Sequence, residues 1–212
     1  MRCVGATAHA YTGPIEEQAV TDEHQPEHEH RHLSYADAVL GYRADKDRFF
    51  RDSAGSPIPA DERPSFEGLT YYPVDEAMVI DDLALGPYAG TEPVRFEIPT
   101  SDGRLRPAER AGVFQFVLEG RDLSITAYRL AGGTNDSLFV PFLDATSGAE
   151  TYGAGRYLDL QAEDDGTYSL DFNLAYHPSC AYDPRFSCPL TPPENRLPVR
   201  IEAGERLPPT TA

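Results

Sequence analysis

From Phe66 onward the chain reads as short runs of strand-forming residues, separated at fairly even intervals by Gly, Pro, Asn and Asp, with no long amphipathic helix among them. Parallel strands need crossover connections, usually helical. The pattern therefore restricts the chain to a mainly β domain with mainly antiparallel sheet, built as a barrel or a sandwich-like stack. It predicts strands over 69–72, 78–83, 94–98, 113–118, 123–130, 138–142, 156–160, 168–172 and 197–202. The clearest hairpin joins GVFQFVLE to DLSITAYRL around Gly120. Phe114, Phe116 and Leu118 lie on one face of it, and Val113, Gln115 and Val117 on the other. With both faces largely apolar, this hairpin is expected near the centre of the sheet. A second hairpin is predicted where 156–160 runs through Glu163-Asp164-Asp165-Gly166 into 168–172.

One helix precedes the strands. Ser34 caps it, with Asp37 three residues on, and Ala38, Val39, Tyr42, Phe49 and Phe50 fall roughly on one face. Gly55 and Pro57 bound its end, and Arg43, Asp45, Lys46, Asp47 and Arg48 read as a solvated stripe. Residues 1–33 have no periodicity and contain DEHQPEHEHRH, which offers nothing apolar to bury, so they read as a disordered acidic, histidine-rich tail. That tail holds His9, His24, His28, His30 and His32, but a flexible segment supplies no fixed ligand geometry, and no metal site is assigned there. The domain is thus expected over 34–206, with a short C-terminal tail over 207–212.

The charge narrows the partners. Thirty-five acidic residues against 18 basic ones leave a net charge of −17, which repels phosphate backbones and anionic lipid surfaces, so neither nucleic acid nor membrane is expected. Lys46 is the single lysine. A carboxylate-rich, lysine-poor composition suits a halophilic cytoplasm where salt screens self-repulsion, and it is also what an arginine-favouring genome would encode. No window approaches the ~18 apolar residues of a membrane span, and the first residues lack the apolar core of a secretory signal, so a cytoplasmic location is expected.

Residues 139–205 carry a resemblance. The run PF-D-T-G-ETYG ending in GRYLDL, then LDFN-AY, a cysteine-proline segment, PPENRLPV and AGE resemble the DUF1684 family, an uncharacterised conserved domain. Weaker similarity reaches FEGLTYYPVD and the helix bearing Phe49 and Phe50. The resemblance implies a fold and no activity; at the position of His177 the family pattern usually shows asparagine.

The segment from Tyr176 to Arg196 contains Pro178, Pro184, Pro189, Pro192 and Pro193, which forbid regular helix or interior strand. With Tyr176, Tyr182, Phe186 and Leu190 as apolar anchors, it reads as a long ordered loop walling one side of a cleft. Strand alternation puts Asp171 and Asn173 on one face beneath it, Arg156 joins them in a suitable hairpin register, and Glu194, Asn195 and Arg196 return from the loop's end. Candidate binding residues are therefore Arg156, Asp171, Asn173, Tyr176, Cys180, Glu194, Asn195 and Arg196. Each has a structural alternative: Asp171 and Asn173 as turn residues, Arg156 as a buried ion-pair partner of Asp171 or Glu194. Gly153 and Gly155 read first as a bend. Cys180 and Cys188 read first as buried inert thiols, with a disulfide, a metal pair with His177, and a Cys180 nucleophile using His177 and Asp171 as the other readings.

No motif forces chemistry or a cofactor. Three function classes stay open: a small-molecule binding domain with its polar cleft under the 176–196 loop; a hydrolase using Cys180 or the Asp171/Glu194 pair; and a protein-interaction domain using a sheet edge or the loop.

Overall fold

The computed structural model describes residues 33–132 and 137–208. The expected tail before Leu33, with its five histidines and Cys3, and the last four residues lie outside them.

Helix α1 spans Tyr35–Asp52 and opens on a capping box, in which the Ser34 hydroxyl accepts from the Asp37 N–H and Asp37 reaches back to the Ser34 N–H. The predicted cap and end hold, but the faces do not. Val39, Arg43 and Phe50 are buried, while Tyr42 and Phe49 are each 47% exposed. Arg43 turns inward because the surface beneath the helix presents carbonyls: its guanidinium donates to Tyr72 O at 2.9 Å and Asn173 O at 3.3 Å. Lys46 also faces inward, paired with Glu205 at 2.6 Å. The charged stripe is in part the helix's attachment to the body.

The strands are β1 (Thr70–Tyr71), β2 (Val79–Leu83), β3 (Arg95–Pro99), β4 (Leu105–Leu118), β5 (Arg121–Leu130), β6 (Ser137–Phe142), β7 (Arg156–Gln161), β8 (Tyr168–Asp171) and β9 (Glu205–Arg206). They form a five-stranded sheet, β3-β4-β5-β6-β7, and two ribbons, β2-β8 and β1-β9, with every strand pair antiparallel. The domain is mainly β with one helix near its N-terminus, and the sheets do not close into a barrel; a sandwich-like arrangement fits. The first hairpin forms as read: Leu118 pairs with Arg121 across a two-residue turn at Glu119 and Gly120, whose φ of 50° and 71° are those of the turn that matches strand twist. On the opposite face Val117 is 57% exposed and burial resumes only toward Tyr128, which packs with Phe139 and Tyr157, while Phe114, Phe116 and Leu118 form a buried face.

That face joins Ile125, Leu138, Val140, Leu158, Leu160, Leu170, Phe172 and Ile201 in one apolar cluster. Phe172 sits between Phe116 and Phe142, at ring-centroid distances of 6.2 and 5.4 Å; emptying such a position costs about 3–5 kcal/mol.

Two expectations fail. Residues 197–202 form no strand, because their polar groups bond irregularly: Leu197 N–H donates to Leu143 O, Ala145 N–H to Val199 O, and Ile201 N–H to the Asp144 carboxylate. The C-terminal pairing instead comes from Glu205 and Arg206 against β1, and Leu207 N–H still reaches Glu150 O at 2.8 Å, so order extends past residue 206. The second predicted hairpin has its turn, with Gly166 at φ +85°, but its arms separate. β7 pairs with β6 and β8 pairs with β2.

Candidate functional site

The eight candidate residues do not converge on one pocket. Arg156 is fully buried, and its guanidinium donates to the carbonyls of Ala203, Glu205 (3.1 Å) and Ile201 (2.7 Å), with Asp144 at 3.6 Å. It holds the C-terminal segment in place. Gly155, at φ +101°, precedes it where any side chain would strike Phe142 O and Thr191, so the glycine serves a close approach. Asn195, also fully buried, accepts from Thr126 N–H at 2.8 Å and donates to Thr126 O at 2.8 Å and Pro141 O at 2.7 Å. Its amide fills a gap in the sheet, since β5 and β6 pair only at Tyr128 and Phe139 and Pro141 has no N–H to offer.

Glu194 accepts from Arg110 at 2.8 Å and Tyr128 OH at 3.0 Å. Arg196 is exposed, and its backbone bridges Leu143. Asn173 clamps the backbone of Asp75 with both ends of its amide, at 2.9 and 2.8 Å. Asp171 caps a 3-10 turn, accepting from Asn173 N–H at 2.9 Å, and accepts from Tyr35 OH at 2.8 Å. It shares no partner with Glu194, and no acid–base pair forms between them.

The 176–196 segment is ordered, with short 3-10 turns at Ser179–Ala181 and Pro193–Asn195. Tyr182 is an anchor, edge-on to Phe50 at 5.1 Å, while Phe186 and Leu190 are each 36% exposed and anchor little. Cys180 and Cys188 are both free thiols, Cys180 partly exposed and Cys188 buried. The Cys180 N–H meets Cys188 Sγ at 3.3 Å, and burial pushes the Cys188 thiol up to about 12. His177 serves neither thiol. Its Nε2 accepts from Tyr152 N–H at 3.2 Å and its Nδ1 faces Glu205 at 3.7 Å. Burial lowers it to about 4, so it is neutral near pH 7. Cys180, His177 and Asp171 make no triad, and among the described residues no group of three or more His, Cys, Asp or Glu could hold a metal ion.

A cleft does exist, where β7 and β8 part. It has a volume of about 390 Å³, within the range of small-ligand sites. One end is closed by the turn, where Glu163 N–H bonds Thr167 O, and the other by the reciprocal backbone bonds of Tyr157 and Tyr176, at 2.9 and 3.1 Å. Between these ends no backbone hydrogen bond joins β7 to β8 among the described residues. The lining includes Asp159, Gln161 and Glu163 from β7 and the turn, Ser169 and Asp171 from β8, and Tyr176 beyond; Tyr42 of α1 overhangs it. Tyr176 OH donates to Asp159 at 2.5 Å. Asp159 is open to water, yet the surrounding protein desolvates it enough to raise its pKa above the usual carboxylate range, against the opposing pull of Tyr176 and Lys46.

Of the eight candidates only Asp171 and Tyr176 line this cleft. Asp159, Gln161, Glu163, Ser169 and Tyr42 were not singled out, because the sequence signals a hairpin at 156–172, and a paired hairpin would leave no opening there. Within 156–160, alternation sets Tyr157 and Asp159 on the face opposite Arg156 and Leu158, and this is the one local signal that bears on Asp159.

No curated protein matches the chain. The solution NMR structure of an uncharacterized protein from Haloarcula marismortui is similar to it, with 37% identity and a TM-score of 0.61, over 82% of this chain and 95% of the other. The family model described as "Protein of unknown function (DUF1684)" matches residues 64–206. This match covers the five-stranded sheet, both ribbons, the cleft between β7 and β8 and the proline-rich loop, and the chain belongs to the DUF1684 family.

Proposed function

We propose that the chain is a small-molecule binding domain whose site is the cleft between β7 and β8, at the start of the 176–196 loop. The observation that carries this reading is the unfilled separation of two consecutive strands. A four-residue stretch of β7 edge, 158–161, faces space where a hairpin partner would normally sit. Polar side chains ring that space and an aromatic overhangs it, the composition expected of a pocket that orients a ligand. The acidic composition supports a salt-rich cytoplasmic setting for such a domain.

The test is a fragment screen on the full chain, followed by amide chemical shifts. Binders are expected to move the amides of Asp159, Gln161, Ser169 and Tyr176. Ser169→Phe, which fills the cleft from its rim, is expected to abolish those responses while leaving the melting transition cooperative. Binding that persists in Ser169→Phe, or responses clustered elsewhere, would refute the site.

A further inference from the structure

The strand edge inside the cleft specifies more than a cavity. In antiparallel pairing, the N–H and C=O of one residue point to the same side and alternate between neighbours along the strand. Tyr157 uses both groups on Tyr176, on the cleft side of β7. The other side agrees, because Tyr157 lies opposite Pro141, which has no N–H and cannot enter a reciprocal pair. By alternation the N–H and C=O of Asp159 and Gln161 also point into the cleft. A strand continuing from Tyr176 would place Leu174 opposite Asp159, but residues 172–174 coil into a 3-10 turn. Among the described residues none pairs with Asp159 on this side.

A residue placed there would exchange two backbone bonds with Asp159, as Tyr176 does with Tyr157, and its side chain would project on the same face as that of Asp159. That face carries the Asp159 carboxylate and the Tyr176 ring. Among the described residues, Asp159, Glu163 and Asp171 are the charged side chains lining the cleft, and no Lys, Arg or His lines it. Lys46 lies 4.6 Å from the centre of the Tyr176 ring, but it is paired with Glu205 at 2.6 Å. The open edge is four residues long, roughly 13 Å at strand rise, which is room for one residue and the amides on either side of it.

Resting on the cleft as the binding site, we infer that its ligand is a basic residue in extended, peptide-like form: a lysine or arginine side chain flanked by two amides. The amides complete the ladder at Asp159, and the cation meets the carboxylates and the tyrosine ring.

Three probes separate these parts on the full chain at low, fixed ionic strength: N-acetyl-lysine N-methylamide, its uncharged norleucine counterpart, and butylamine. The lysine diamide is expected to shift the amides of Asp159 and Gln161, with each of the other two at least about tenfold weaker. Asp159→Asn is expected to weaken the lysine diamide about tenfold and leave the norleucine diamide unchanged. Equal binding of the norleucine diamide would show that charge is not read, and equal binding of butylamine that the edge is not read; either result overturns the ligand class and leaves the cleft standing. If none of the three binds while library fragments still move the Asp159 and Gln161 amides, the class alone falls. If the library misses those amides too, both readings fall.

Discussion

The polar residues around Arg156 and Asn195 and those around Asp159 and Gln161 are both products of strand alternation, yet they differ in whether their neighbours are satisfied. Arg156 and Asn195 are fully buried and each bonds at least three backbone groups. Their task is to complete a sheet and a C-terminal segment that cannot complete themselves. At Asp159 and Gln161 the relation inverts, because among the described residues no backbone pairs with them on the cleft side and their side chains stand beside an opening. A polar residue marks a site here only where backbone pairing stops.

The sharpest way to break that comparison is to truncate both sides of it and measure unfolding in denaturant. Arg156→Met leaves three buried carbonyls without this donor and the Asp144 carboxylate without its cation, and is expected to cost about 3–5 kcal/mol. Asn195→Ala strands the Thr126 N–H and C=O and the Pro141 C=O, for about 3 kcal/mol. Gln161→Ala in the cleft is expected to stay within about 0.5 kcal/mol, as at an ordinary surface position. Arg156→Met or Asn195→Ala falling in that same small range would mean that these residues are not structural pins, and the contrast would collapse.

Much of the fold is legible in the sequence because the signals concerned are local. Ser34 and Asp37 form the predicted cap, and Glu119-Gly120 the predicted turn. Eight of the predicted strands appear with small shifts at their ends, apart from β4, which begins well before the predicted 113. What fails depends on long-range pairing. Whether β8 pairs with β7 or with β2 turns on contacts across the 84 residues between Leu83 and Tyr168, so the Asp-Gly turn is legible locally and the ladder beyond it is not. The inward turn of Arg43 answers carbonyls of Tyr72 and Asn173, 29 and 130 residues away, which helix periodicity cannot register. The candidate site suffered similarly: the loop's polar residues were recognised as important, but their partners, and hence their role, lie elsewhere in the chain.

His177 sharpens the comparison through pH. It belongs to the satisfied region, held neutral between Tyr152 and Glu205 with its pKa lowered to about 4 by burial. The unfolded chain takes up the proton near pH 6.5, before the native state does. The stability this residue contributes is therefore complete above that value and lost as pH falls toward 4, by up to roughly 3 kcal/mol. His177→Asn, a similarly polar side chain that does not titrate, is expected to flatten the unfolding free energy between pH 6.5 and 4. An unchanged slope would show that the imidazole is not buried as described.

The smallest effect is expected at the thiols of the proline-rich loop, Cys180 within its first turn and Cys188 against the Cys180 N–H. Thiolate is the reactive form, and with Cys188 buried and pushed up to about 12, almost none of it is present at pH 8. Alkylation of the native chain at that pH, followed by peptide mapping, should leave Cys188 unmodified until denaturant is added. Cys180 is partly exposed, and the one imidazole among the described residues, His177, is committed to Tyr152 N–H rather than to this thiol. It should therefore label slowly. Fast labelling of Cys180 at pH 6, where an unactivated thiol is protonated, would mean that the loop bears a nucleophile, and the boundary between satisfied and open regions would have to be redrawn through it.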